Sequence, residues 1–421
     1  MANTEEELDL ELIKKKTVAG IVTFTLRTFF VQAFTFISTF ALTILLDPQT
    51  FGVFFIVSAI LNLFVYFSDI GLAAALIQKK TPPNENDFTT TFTIQQTIVT
   101  CLVVVVLLLS ASIGNFYNLN SQGLMLLRVL VFSLLLSSLK TIPSIILERN
   151  LNFTRLVIPQ IVENIVFYSV AVVLAFKGYG LSSFTWAVLA RGLVGLVLIY
   201  SLSPWKPKIG FHRESAATLT KFGLPFQINS ILALLKDDLL TVFVGKILPH
   251  VEVGYIGWAQ KFAFVPLRFF MDNVIKVTFP AYSRLQHEKK ELGNAIEKSI
   301  FFVTFLVYPS VLGIVAVAQT VINILPSYEK WQPALPLLCF FAINAMFASV
   351  TTTLTNTLFA IGKPKIVLSM MVFWTILTWV LTIALVSKLG FIGVGAASAV
   401  VAAATSITIY FVKKNIPISL I

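Results

Sequence analysis

The chain has 421 residues, 57% of them hydrophobic and only 12% charged, with a formal net charge of +11. A soluble domain is about 25% charged, whereas apolar runs of about 20 residues, the length that crosses a bilayer core of about 30 Å, recur here from end to end. A soluble enzyme and a nucleic-acid-binding module are therefore excluded, because the basic excess lies in short loops where membrane topology accounts for it.

In chain order, the first segment is acidic (Glu5, Glu6, Glu7, Asp9, Glu11) and then basic (Lys14, Lys15, Lys16). No small-residue cleavage site follows, so it reads as an amphipathic cytoplasmic segment, residues 1–17, and not as a cleaved signal peptide. Twelve spans follow, at about 18–46, 51–78, 88–112, 122–147, 156–176, 181–202, 219–248, 253–281, 297–322, 333–360, 364–387 and 391–412. Asp47-Pro48, Thr81-Pro82-Pro83-Asn84 and Gly178-Tyr179-Gly180 punctuate them as turns. Alternate connections hold nearly all the basic residues, while the other set holds only Lys177, Lys330 and Lys388. That asymmetry places both termini in the cytoplasm.

The two halves carry a weak internal repeat. Leu45-Leu46-Asp47-Pro48 leading to Gly52 matches Ile247-Leu248-Pro249-His250 leading to Gly254, and the two glycines are 202 positions apart. Six spans per copy give both copies the same orientation, as in transporters built from parallel repeats. The expected organisation is an all-α polytopic membrane protein with an N-terminal six-helix lobe (18–202), a cytoplasmic connection (203–218), a C-terminal six-helix lobe (219–412) and a tail (413–421), enclosing a central cavity.

Ionisable residues inside the spans point to function, because a charge at mid-bilayer is costly unless it faces a cavity or a partner. Arg27, Arg191, Lys236, Lys261 and Arg268 are the basic candidates for substrate binding. Glu163, Asp237, Asp238 and Asp272 are the acidic ones. Lys261 and Arg268, seven apart, share one face of a continuous helix, and Arg268 and Asp272 are spaced for an i,i+4 pair. Asp69, Lys140 and Lys276 lie nearer span ends, where long side chains reach the interface. The mixed interior charge, basic residues slightly ahead, suits an anionic or polyhydroxylated ligand; the competing reading is ion pairs that only orient helices. The sequence has no phosphate-binding loop, dinucleotide fingerprint or loop long enough for a catalytic domain. The two cysteines (Cys101, Cys339) and three scattered histidines form no disulfide framework or metal pattern, so neither an enzyme nor a bound cofactor is expected.

Several segments together carry a resemblance. They are Leu46-Asp47-Pro48 to Gly52 with Phe67-Ser68-Asp69-Ile70-Gly71 and onward to Gln78, then Glu148-Arg149-Asn150-Leu151-Asn152-Phe153, then Lys221-Phe222-Gly223-Leu224-Pro225-Phe226. Phe279-Pro280-Ala281-Tyr282-Ser283-Arg284 and Trp331-Gln332-Pro333-Ala334 with Gly362-Lys363-Pro364 complete the series. In this order the chain resembles the oligosaccharide flippases, of the colanic and teichuronic acid exporter type, in the multidrug/oligosaccharidyl-lipid/polysaccharide exporter superfamily. The resemblance implies two six-helix lobes in the cytoplasmic (inner) membrane, moving a polyprenyl-diphosphate-linked repeat unit to the outer leaflet. It implies that the basic cavity residues hold the diphosphate or acidic sugars. Na⁺ or H⁺ is the coupling ion it allows, with the four acidic candidates as ligands. Implied partners are the lipid-linked oligosaccharide, membrane lipids and a polysaccharide polymerase or glycosyltransferase; the chain is read as a monomer with no nucleic-acid partner. A multidrug exporter and a membrane-embedded polymerase or ligase are the alternatives.

Overall fold

The computed structural model describes residues 28–79, 81–221, 223, 238–414, 416 and 417, with the side chains of Asp272, Asn273 and Lys276 left aside. Every regular element among them is a helix. Ten are long and apolar enough to cross a membrane, and each coincides with one expected span. These are α1 (Thr28–Leu45), α2 (Pro48–Ser68), α4 (Glu85–Phe116), α5 with α6 (Ser121–Leu139, Thr141–Arg149), α7 (Phe153–Phe176), α8 (Ser182–Leu202), α13 (Lys289–Ile324), α14 (Leu335–Ala360, after a 3-10 turn), α15 (Pro364–Leu389) and α16 with α17 (Ile392–Ala403, Thr405–Lys413). The protein is thus an all-α polytopic membrane protein. Its apolar side chains face outward as bilayer solvation requires: Phe176 and Leu108 are 79% and 78% exposed, which a water-soluble surface rarely shows over so many positions.

Two expected spans differ. Half of the one at 219–248 lies outside the described residues, which here belong to α9 (213–221) and α10 (Asp238–Ile247) apart from Gly223 and Leu248. The one at 253–281 is two helices, α11 (His250–Ala263) and α12 (Val265–Leu285), interrupted at Phe264 just before Pro266. A proline at the second position of a helix is tolerated, but it cannot continue the preceding one. The remaining short helix, α3 (Leu72–Gln78), splits the second span.

By contacts the chain divides into two units, residues 1–46 with 56–242, and 47–55 with 243–421. In the first, α7 packs along α8, α8 on α5, and α5 on α4. A cluster of Leu72, Leu76, Phe92, Ile142, Ile145 and Leu219 ties α3, α4, α6 and α9 together at one end. Three of the segments that carry the family resemblance meet there. Gly71 adopts φ 72°, and a Cβ on it would lie 2.2 Å from the Gly223 carbonyl oxygen, so the left-handed break at 69–71 and the close approach both require glycine. Arg149 donates to the carbonyls of Leu76, Ile77 and Lys79 at 2.5, 2.9 and 3.1 Å, closing the C-terminus of α3 with a cation. Removing it by Arg149→Met strips charge-assisted bonds worth about 1.5–3 kcal/mol, and thermal unfolding in detergent is expected to shift down accordingly.

The connection after α8 is bound to α4 along its length. Trp205 sits edge-on to Phe92 at 5.1 Å. The Gly210 and His212 N–H groups donate to Thr93 Oγ1 and Thr90 Oγ1, each at 3.0 Å, and Lys208 pairs with Glu85.

In the second unit, Met271 of α12, Val303, Val307 and Val311 of α13, and Ala342 and Ala345 of α14 form one core cluster. Aromatic residues of α2, α11 and the 3-10 turn before α14 converge on Trp331, which is fully buried. Trp258 stacks on it at 5.5 Å, Phe51 and Tyr255 meet it edge-on at 5.6 and 6.3 Å, and Trp258 Nε1 donates to the Tyr328 hydroxyl at 3.2 Å. The repeat glycines have a spatial counterpart here. A Cβ on Gly52 would lie 1.7 Å from the His250 carbonyl oxygen, and one on Gly254 would lie 2.0 Å from that of Pro48. The backbones of α2 and α11 therefore touch at positions that the sequence repeat pairs.

Candidate functional site

The helix breaks of the first unit surround a cavity of about 630 Å³ lined by both polar and apolar side chains, within the range of about 300–1,000 Å³ typical of small-molecule sites. The break between α2 and α3 brings Asp69 to its wall, where the carboxylate accepts the N–H groups of Leu72 at 2.9 Å and Ala73 at 3.3 Å. The interruption between α5 and α6 falls at Lys140. Its ammonium turns inward and donates to Glu163 Oε1 of α7 at 2.7 Å. The two side chains are 16% and 20% exposed, so the pair is largely shielded from solvent. Arg191 of α8 lines the same cavity, its guanidinium 5.3 Å from the centre of the Phe167 ring, within cation–π reach.

Glu163 fits because α8 has glycine opposite it. A Cβ at Gly195 would lie 1.8 Å from Glu163 Oε1. Gly195→Ala is expected to push the carboxylate off Lys140 while leaving the backbone in place, since the obstructing atom is the end of a flexible side chain. Thermal unfolding in detergent should shift down, with a loss of stability near the about 1 kcal/mol of a weak ion pair.

The uncharged lining comes from serines, Thr141 and amides. Gln95 of α4 is 4% exposed. Its Nε2 donates to Thr141 Oγ1 at 3.0 Å, and its Oε1 is buried with no protein partner. Which end of the amide carries the nitrogen is a matter of assignment, but with either choice one polar end is left over, at a cost of about 1–3 kcal/mol. Carboxylates outnumber cations in the lining: Asp69, Glu148 and Glu163 against Lys140 and Arg191.

Of the residues singled out in the sequence, Glu163 and Arg191 line this cavity. Asp238 is adjacent to it through Asn62, a lining residue whose Nδ2 donates to Asp238 Oδ1 at 2.9 Å. Arg27, Lys236 and Asp237 lie outside the described residues, as does the side chain of Asp272. Lys261, partly buried, and Arg268, exposed, belong to the second unit. The interruption at Phe264 puts them on separate helices, α11 and α12, so a seven-residue spacing no longer sets them on one face. Lys140, expected to snorkel, is instead paired. The sequence reasoning passed over Gln95, Ser137, Ser138 and Ser144, although Gln95-Gln96 and Ser137-Ser138 are adjacent polar pairs within apolar spans. No cluster of three or more histidine, cysteine or acidic residues suited to a metal ion occurs among the described residues.

Residues 41–336 match the family described as "Polysaccharide biosynthesis protein". The chain belongs to that family. It is a member of the multidrug/oligosaccharidyl-lipid/polysaccharide exporter superfamily. The chain is 22% identical over 375 residues to the lipopolysaccharide biosynthesis protein WzxC of Escherichia coli (strain K12), covering 87% of this chain and 74% of that one. It is 21% identical over 322 residues to the succinoglycan biosynthesis transport protein ExoT of Rhizobium meliloti (strain 1021), where the match covers 76% of this chain and 64%, less than two thirds, of ExoT. Its fold is similar to that of a lipid II flippase MurJ in an inward closed conformation, with a TM-score of 0.74 at 17% identity over 93% of this chain and 87% of that one.

Proposed function

We propose that this protein moves a polyprenyl-diphosphate-linked oligosaccharide repeat unit from the cytoplasmic to the outer leaflet of the cytoplasmic membrane by alternating access. The observation that carries the reading is the family match over residues 41–336, joined by relatives whose names place them in lipopolysaccharide and succinoglycan biosynthesis. In this reading twelve spans form two six-helix lobes of parallel orientation, with both termini cytoplasmic, as the distribution of Lys and Arg supports. Arg27, Arg191, Lys236, Lys261 and Arg268 contact the head group. Asp237, Asp238, Asp272 and Glu163 serve coupling to Na⁺ or H⁺; Glu163, which holds Lys140 in this structure, does so by exchanging that ammonium for the ion. A polymerase or glycosyltransferase receives or supplies the substrate.

Deletion of the gene tests the function: a lipid-linked glycan should accumulate in the inner leaflet, and its failure to do so would refute the reading. Arg27→Ala and Arg268→Ala should each abolish surface polysaccharide while the protein still reaches the membrane. Normal glycan in both variants removes these residues from the binding site. Export of small cationic drugs is the second reading, favoured by the excess of carboxylates in the first-unit cavity. It predicts drug sensitivity on deletion with no glycan phenotype.

A further inference from the structure

We propose that the cavity inside the first unit is a subsite for the uncharged sugar rings of the transported head group, and that it excludes the diphosphate. The proposal rests on the flippase reading and adds where the two parts of the substrate are read.

Charge is the first argument. A diphosphate would enter beside Asp69 and Glu148, and of the two cations Lys140 is already neutralised by Glu163 at 2.7 Å. Arg191 alone remains against two further carboxylates. Beside a partly buried wall such like-charge contacts are more repulsive than in open water. Phosphate sites show the opposite pattern, an excess of Lys and Arg donors.

Hydrogen bonding is the second and independent argument. Gln95 is buried in the wall with one amide end bonded to Thr141 and the other without a protein partner. A buried amide of this kind is costly, and because its orphan oxygen has almost no exposed surface, a ligand completes it only when the wall opens toward the cavity. A sugar ring brings vicinal hydroxyls that both donate and accept, which matches an amide beside the hydroxyls of Ser137 and Thr141 in the same wall. A site built to bond a hydroxyl discriminates sharply against ligands that lack it. The residues are all contributed by one unit, so the subsite is complete within it.

The experiment uses Ser137→Cys, with Cys101 and Cys339, both exposed and free of disulfides, replaced by serine. The protein is reconstituted in nanodiscs and the rate of maleimide labelling at position 137 is measured with three probes. They are the lipid-linked glycan that accumulates in the deletion strain, the free oligosaccharide released from it by mild acid, and glycan-free polyprenyl diphosphate. The first two should slow labelling, by roughly tenfold when the probe is about ten times above its dissociation constant, and the third should not. In a Gln95→Leu background the protection should vanish while the melting temperature holds or rises, since the orphaned amide is gone. Protection by polyprenyl diphosphate equal to that by the glycan lipid overturns the proposal. So does labelling unaffected by any probe, or full protection in the Gln95→Leu protein. If no lipid-linked glycan accumulates on deletion, the flippase reading fails and the subsite falls with it; accumulation without protection defeats the subsite alone.

Discussion

Glu163→Leu is expected to cost more stability than the double replacement Lys140→Met with Glu163→Leu. The single change leaves an ammonium in a shielded wall beside apolar atoms, whereas the double change leaves two neutral side chains of similar volume. With exposures of 16% and 20%, the penalty for the single variant lies between the about 1 kcal/mol of an exposed pair and the about 3–5 kcal/mol of breaking a buried one. The double variant should return close to the parent, so that its loss is smaller than the sum of the two single losses in a four-protein cycle of thermal unfolding in detergent. A double-variant loss equal to the sum of the Glu163→Leu and Lys140→Met losses would show that the two side chains are not energetically linked. Export adds a second readout. A pair that only orients helices regains surface polysaccharide along with stability. The coupling role proposed for Glu163 requires that the stable double variant still fails to export.

The second large effect is at the crossing of α2 and α11. Gly52→Ala and Gly254→Ala each place a methyl group 2.0 Å or less from a backbone carbonyl oxygen, an obstruction that no side-chain rotation removes. The helices must separate, and overpacking of this kind costs about 1–3 kcal/mol and occasionally more. Gly313→Ala is the matched control. It lies within α13 with nothing inside 4 Å of the added methyl, and alanine is favoured over glycine in a helix by about 1 kcal/mol. Melting temperatures should therefore fall for the first two variants and stay level or rise for the third. A fall for Gly313→Ala equal to that for Gly254→Ala would show that the crossing is not tightly packed.

The membrane-spanning character was legible because bilayer helices must be long and apolar, and ten expected spans correspond to helices in the structure. The interruptions were not legible. Gly71 reads as one more small residue in an apolar run, whereas its left-handed φ and its close approach to Gly223, 152 positions later, appear only in the structure. Lys140 looked like a snorkelling residue because its partner Glu163 lies on another helix and Gly195, on a third, makes the space for it. Charged residues such as Glu163 and Arg191 stood out in the sequence because a charge in lipid demands a reason. Gln95 and the serines around it did not, since uncharged polar residues are common as helix-to-helix contacts in membranes, and only the structure shows which of them is left without a partner. Several resemblance segments proved to be packing sites: Arg149 closes a helix end, and Trp331 is the hub of a buried aromatic cluster.

Transbilayer movement itself tests the central claim most directly. The purified protein is reconstituted into liposomes carrying the lipid-linked glycan that accumulates in the deletion strain, and a membrane-impermeant glycosidase is added outside. In protein-free vesicles about half of the glycan should be protected, the share in the inner leaflet. Vesicles containing the protein should lose nearly all of it to the enzyme, and vesicles containing Glu163→Leu should resemble the protein-free ones. Protection unchanged by the wild-type protein, with and without a Na⁺ or H⁺ gradient, would contradict the account.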